Sequence, residues 1–238
     1  MNASSEAFFR AIEDTWPAAE VWDEPPFRFR DGQGGGKRVS AATAMGPVSD
    51  PAVAAAEARM PAPLFAIRPE DGDLDRALVA RGYGKLDPTL IYHCPVERLA
   101  TPPPRVSAFT VWPPLAIADE IWEAQGIGAA RRAVMARARC PKCCLFARTD
   151  DQPSGVGFAG LSEGIVMVHA LEVRPAFRRK GAARFMMQAA ALWGQARGAE
   201  RIAVLVTEAN AGARALYAAL GMEAMQGYHY RAPQNGTE

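Results

Sequence analysis

The sequence predicts an α/β fold in which strands pair across a central sheet and helices layer onto it. Three observations carry this. Short β-branched and apolar runs, such as RIAVLVT at 201–207, alternate with longer stretches of helical period. Gly, Pro, Asp and Asn fall at the joints between them. The 238 residues are 49% hydrophobic and 22% charged, which suits a sizeable core and excludes a disordered chain.

In the first half, 6–16 is a helix candidate. Segments 27–30 and 38–42 read as strands either side of a glycine-rich hairpin tip, DGQGGG. Residues 52–60 are a helix, 64–68 a strand, 73–81 a helix and 89–94 a strand. The run Thr101-Pro102-Pro103-Pro104 cannot donate to a ladder and stiffens its neighbours, so it divides the chain into 1–100, a linker at 101–104, and 105–238.

After the linker, 105–112 is a strand, and 115–138 is helical with a break at Gly126-Ile127-Gly128. Strands follow at 143–148, 155–161 and 165–173. A helix at 181–197 places Ala182, Phe185, Ala189 and Leu192 on one apolar face. The strand 201–207, a helix over 210–220 ended by Gly221, and a last strand at 228–232 complete the order. The strand–helix–strand unit LFAIR…DLDRALVARGY…TLIYH weakly matches IAVLV…NAGARALYAALGM…YHYRA, with Leu78 opposite Tyr217. Either a second copy of one unit or chance similarity accounts for it.

Charge and cysteine usage limit the function classes. Lys plus Arg is 27 and Asp plus Glu is 26, so no global field is present to hold nucleic acid. The first residues carry Glu6, Glu13 and Asp14 where a secretory leader needs a basic stretch and an apolar run. No window is long and apolar enough to span a membrane, and the expected location is the cytoplasm. Cys140, Cys143 and Cys144 suggest half a zinc site, but Cys94, His93, His169 and His229 offer no paired spacing for a fourth ligand. Ordinary strand and turn cysteines are expected, with no metal. Lys37-Arg38 after the glycines lacks the Ser or Thr of a phosphate loop.

The most informative stretch is 173–183, VRPAFRRKGAA, which leaves a strand, turns and enters a helix. Amides at a helix start lack intrahelical partners and carry positive potential, and small residues let an anion approach them. With Arg178, Arg179 and Lys180 ahead of Gly181, Ala182 and Ala183, the segment suits a pyrophosphate.

Arg-x-x-Gly-x-Ala after Leu-x-Val-x-Pro is followed about thirty residues later by Asn210-x-x-Ala213-x-x-Leu216-Tyr217-x-x-x-Gly221-Met222. Over 105–232 this resembles the GNAT superfamily of acyl-CoA-dependent N-acetyltransferases. Ala183 stands where the family has glycine or alanine, and the one minor departure is Met222 where it has Phe. The resemblance implies a mixed, mostly antiparallel sheet with flanking helices, splayed between 165–173 and 201–207. Together with the internal similarity it implies two tandem copies, the first degenerate. It implies acetyl-CoA as co-substrate: Leu171 and Val173 pair with the pantetheine arm, the 178–183 amides hold the pyrophosphate, and Asn210 lies near the pantetheine.

Acyl transfer to an amine requires a base, because an alkylammonium has a pKa of about 10.4. His169 is the first candidate. On a regular strand 169, 171 and 173 share a face, and HALEV resembles the serotonin N-acetyltransferase branch, which has a base histidine at that position. Glu172 ranks second, on the opposite face unless a bulge reverses it. Tyr217 is the candidate acid toward the departing sulfur. The acceptor is expected to be a small-molecule or peptide amine, and the protein a monomer or homodimer. A non-catalytic acyl-CoA sensor and a modifier of protein amino groups remain as rivals.

Overall fold

The computed structural model describes residues 3–234. The elements run α1 (Ala3–Thr15), β1 (Glu20–Glu24), β2 (Phe27–Asp31), β3 (Thr43–Ala44), α2 (Asp50–Arg59), β4 (Phe65–Ile67), α3 (Gly72–Ala80) and β5 (Tyr83–Pro95). After the prolines come β6 (Ala108–Val111), α4 (Ala116–Ala124), α5 (Ala129–Arg137), β7 (Lys142–Thr149), β8 (Gln152–Ser162) and β9 (Ile165–Val173). The chain closes with α6 (Ala182–Gln195), β10 (Arg201–Thr207), α7 (Ala211–Ala219) and β11 (Glu223–Pro233).

One eight-stranded sheet, β4-β11-β5-β10-β9-β8-β7-β6, organises the molecule. Every neighbouring pair is antiparallel except β9 with β10. The apolar alternation of β9 explains its place at the centre. Val166 and Val168 enter a core with Met186, Ala190 and Trp193 of α6 and Tyr217 of α7. Ile165 and Met167 face Phe8, Phe9 and Ile12 of α1. Trp122 of α4 and Met135 of α5 continue that second layer over Phe146 and Phe158. A subsidiary core gathers Phe27, Phe65, Leu74 and Leu78 around β4, next to the small β1-β2-β3 sheet.

Four expectations change. The 38–42 strand is a single turn of 3-10 helix at Lys37–Val39, and only Thr43–Ala44 pairs with β2. The glycine-rich segment is packed rather than a free hairpin tip. A Cβ on Gly32 would lie 2.5 Å from Val39 Cγ2, and one on Gly35 2.6 Å from Val134 Cγ2 on α5. Along α6 the buried stripe runs through Ala182, Met186, Ala189, Ala190 and Trp193, leaving Phe185 and Leu192 half-buried. Finally, β5 is longer than expected and lies between β10 and β11, pairing with both. The proline run thus separates two stretches of sequence, not two sheets.

Candidate active site

The site begins where the parallel pair ends. β9 and β10 are in register from Ile165–Arg201 to Val168–Val204 and then part. Beyond that point β9 stays bonded to β8 as far as Val173, and β10 to β5 as far as Thr207. Each strand is therefore left with a free polar edge facing a gap. A cleft of about 250 Å³ fills it, lined by 168–172, 204–207, Asn210, Ala213 and Tyr217.

A bulge sets the direction of the side chains on β9. Phe158 pairs with His169 and Val156 with Glu172, so Ala170 and Leu171 together oppose one residue of β8. Ala170 takes φ 49°, and its carbonyl accepts from Trp122 Nε1 at 2.9 Å. The extra residue leaves the ladder locally unpaired and reverses the alternation. His169 and Glu172 consequently point to one side, while Leu171 and Val173 pack against the α6–α7 core. The expectation that 169, 171 and 173 share a face is corrected by this bulge.

His169 is buried, and both ring nitrogens are engaged. Thr15 Oγ1 donates to the Ala11 carbonyl at 2.6 Å, so it accepts from His169 Nε2 at 2.8 Å. Nδ1 then accepts from Arg38 Nη1 at 3.1 Å. That network assigns a neutral imidazole whose lone pair is occupied by a guanidinium. Burial, reinforced by the Arg38 charge, holds its pKa well below the ordinary histidine value.

Glu172 is half-buried and joins the 250 Å³ gap to a second cleft of about 420 Å³. The second cleft is lined by Trp16, Lys37, Arg38, Arg131, Tyr228 and Tyr230 among others. Burial raises the Glu172 pKa, and Arg178 and Arg131 oppose the rise. Tyr217 reaches the gap from α7, its ring tilted against Tyr92 with centroids 5.8 Å apart, and burial together with nearby Glu172 pushes its phenol pKa upward. Asn210 caps α7: its Oδ1 accepts from the Ala213 amide at 3.0 Å.

At the far end of β9 a turn at Pro175–Phe177 leads to Gly181, which is left-handed at φ 88° and starts α6 with no side-chain cap. A Cβ there would sit 2.9 Å from the Phe185 ring. Of the three cations, Arg178 donates to the Val173 carbonyl at 3.2 Å and Lys180 pairs with Asp150 at 2.9 Å. Arg179 is exposed, and its own φ is 64°. The uncapped amides of 181–183 and the free strand edges fit a diphosphate with an extended arm.

Comparison with known proteins places the segment in a family. Residues 108–222 match the model of the Acetyltransferase (GNAT) family. This segment is a GNAT domain. Among solved structures, a GCN5-related N-acetyltransferase from Kribbella flavida aligns over 98% of this chain and 95% of its own, at 18% identity and TM-score 0.67. A functionally unknown conserved protein from Staphylococcus epidermidis aligns over 96% and 98%, at 12% identity and TM-score 0.68. A tandem GNAT protein from the clavulanic acid biosynthesis pathway aligns over 83% and 76%, at 14% identity and TM-score 0.59. At these identities the likeness is one of fold. No curated protein matches the chain.

The clefts are not built from 108–222 alone, since Trp16, Lys37 and Arg38 line the larger one and Thr15 bonds His169 from the first half of the chain. Sequence reasoning missed them. The available signal was the Lys37-Arg38 pair directly after the glycines, a basic pair that fits no phosphate loop. Cys94 and Cys143 face the α6 core and Cys144 the opposite one, while Cys140 lies 3.8 Å from the Asp14 carbonyl. Among the described residues no group of three or more His, Cys, Asp or Glu is placed to hold a metal.

Proposed function

We propose that the protein transfers an acetyl group from acetyl-CoA directly to a primary amine of a small molecule, amino acid or peptide. One observation carries the reading. The parted edges of β9 and β10 open a cleft lined by Glu172 and Tyr217, and β9 runs on from it into the turn that leads to the uncapped start of α6. Acetyl-CoA supplies the activated thioester when bound. The amides of 181–183 with Arg178, Arg179 and Lys180 would hold its diphosphate, and the β9 edge at Leu171 and Val173 its extended arm.

Glu172 is the base we assign. Stripping a proton from an alkylammonium at pH 7 costs roughly 4–5 kcal/mol. Glu172 receives that proton, directly or through one water, at the junction of the two clefts. His169, with its lone pair committed to Arg38, acts as a positioning residue. Tyr217 keeps its phenolic proton at neutral pH and donates a hydrogen bond to the leaving sulfur. Full transfer from an ordinary phenol to a thiolate is uphill by about 2 kcal/mol, so the hydrogen bond is the relevant interaction. Among the described residues no cysteine lines either cleft, in keeping with direct transfer rather than an acyl-enzyme.

The test is thiol release from acetyl-CoA across an amine panel. Tyr217→Phe and Glu172→Gln are each expected to lower kcat by about 10²–10⁴-fold while the coenzyme still binds. Wild-type protein that binds acetyl-CoA but acetylates no amine would replace the enzyme with an acyl-CoA sensor. Unchanged turnover in both variants would remove the assigned acid and base.

A further inference from the structure

The 420 Å³ cleft contains a cation with no ion-pair partner among the described residues. Arg30 and Arg68 both pair with Glu13, at 2.8 and 2.7 Å. Arg38, half-buried, has no carboxylate within ion-pair distance among the described residues. Its Nε donates to Tyr228 Oη at 3.0 Å and one Nη1 hydrogen to His169 at 3.1 Å. Its guanidinium lies 5.6 Å from the Trp16 ring centroid. Its partners within the protein, Tyr228, Tyr230 and His169, are uncharged and fewer than its five N–H donors, and the side chain lines both clefts. Arg131, also without a carboxylate partner, lines the same wall. Lys37 is neutralised by Asp87 at 2.8 Å, so Arg38 and Arg131 outnumber Glu172 on that lining.

A partly desolvated guanidinium costs free energy unless an anion meets it, and its planar fork matches a carboxylate. We propose that the acceptor is an amine whose own molecule carries a carboxylate, and that Arg38 grips that carboxylate while the amine faces Glu172. This rests on the acyl-transfer reading above and narrows its substrate class. The Ala11–Thr15–His169 chain holds the guanidinium in place through side chains that donate in one direction. The cleft volume falls in the small-molecule range of roughly 300–1,000 Å³.

The experiment uses the full chain and matched sets of acceptors: an amino acid, its amide and its decarboxylated amine, across several side-chain sizes. Wild type is expected to favour the carboxylate by at least about tenfold in kcat/KM, the discrimination expected of a charged pocket contact. Arg38→Met should erase most of that preference, chiefly through KM of the amino acid. Arg38→Lys should give an intermediate ratio, and it remains informative if the Met variant fails to fold. Amides or plain amines preferred by wild type would overturn the inference and leave acyl transfer standing. An equal fall for all three acceptors, in kcat rather than KM, would overturn it in favour of a role at the thioester. No thiol release with any amine would defeat the underlying reading as well.

Discussion

At the scale of single residues, the buried histidine makes a claim about pH. His169 has a folded pKa below its unfolded value near 6.5 because burial and Arg38 disfavour the imidazolium. Between those two values the unfolded chain holds one more proton, so stability rises with pH there. The contribution is complete above about pH 6.5 and is lost as pH falls toward the folded pKa. His93 and His229 are shifted the same way, mainly by burial. Glu172, with its pKa raised, works in the opposite sense, but its window starts near 4.5. His169→Gln keeps a donor for Thr15 and an acceptor for Arg38. Its melting temperature should fall less than that of wild type between about pH 7.5 and about pH 5. Parallel melting curves would mean that the imidazole titrates alike in the native and unfolded protein, and the argument from burial would fail. His169 and Glu172 were both legible in the sequence, from their place on one strand. Their surroundings were not, because a one-residue bulge sets which way each side chain points and an arginine some 130 positions away occupies the His169 Nδ1.

At the scale of elements, the turn into α6 concentrates backbone conformations that only certain residues tolerate. Gly181 sits at φ 88°, where a Cβ costs about 1–2 kcal/mol and meets the Phe185 ring. Phe185 is half-buried and can swing aside, so Gly181→Ala should fold. Its amides would then sit displaced from their present positions. We expect acetyl-CoA affinity to fall by about tenfold, equivalent to 1.4 kcal/mol, in isothermal titration. Native affinity in that variant would show that the diphosphate is held elsewhere. The junction itself was readable because the apolar β9 run ends at Arg174-Pro175 and helical periodicity resumes after Gly181. The neighbouring strands were readable too: β9 and β10 have the bounds their apolar runs predict. The 38–42 segment was not, since Val39 and Ala41 are buried by contacts with α5 and α1 that leave no trace in local alternation.

At the scale of the whole molecule, the two stretches either side of the prolines are mutually dependent. β5 precedes Pro102, yet it pairs with β10 from Thr89 to Pro95 on one edge and with β11 on the other. Remove it, and β10, which lines the cleft, keeps only its short parallel register with β9. It would become an apolar edge next to a gap, the arrangement most prone to pairing with other chains. The first stretch also supplies α1, which covers Met167 and Ala203 and positions Thr15 against His169. A tandem reading of the internal similarity is compatible with this, because related units can exchange strands and still be recognisable in sequence. Independent folding of 105–238 is not. That fragment alone should aggregate or lack a cooperative melt, and co-expression with 1–104 should restore soluble material that binds acetyl-CoA. Urea unfolding of the intact chain should then be a single transition by both far-ultraviolet circular dichroism and tryptophan fluorescence, since Trp16 and Trp122 report from opposite sides of the proline run. Two separated transitions, or a soluble 105–238 with native affinity, would make the shared sheet a contact between autonomous domains. In that case Arg38 would need to be tested for reach as well as for charge, because Tyr228 of β11 and His169 of β9 hold it in the clefts that Glu172 also lines, and β5 joins those two strands through β10.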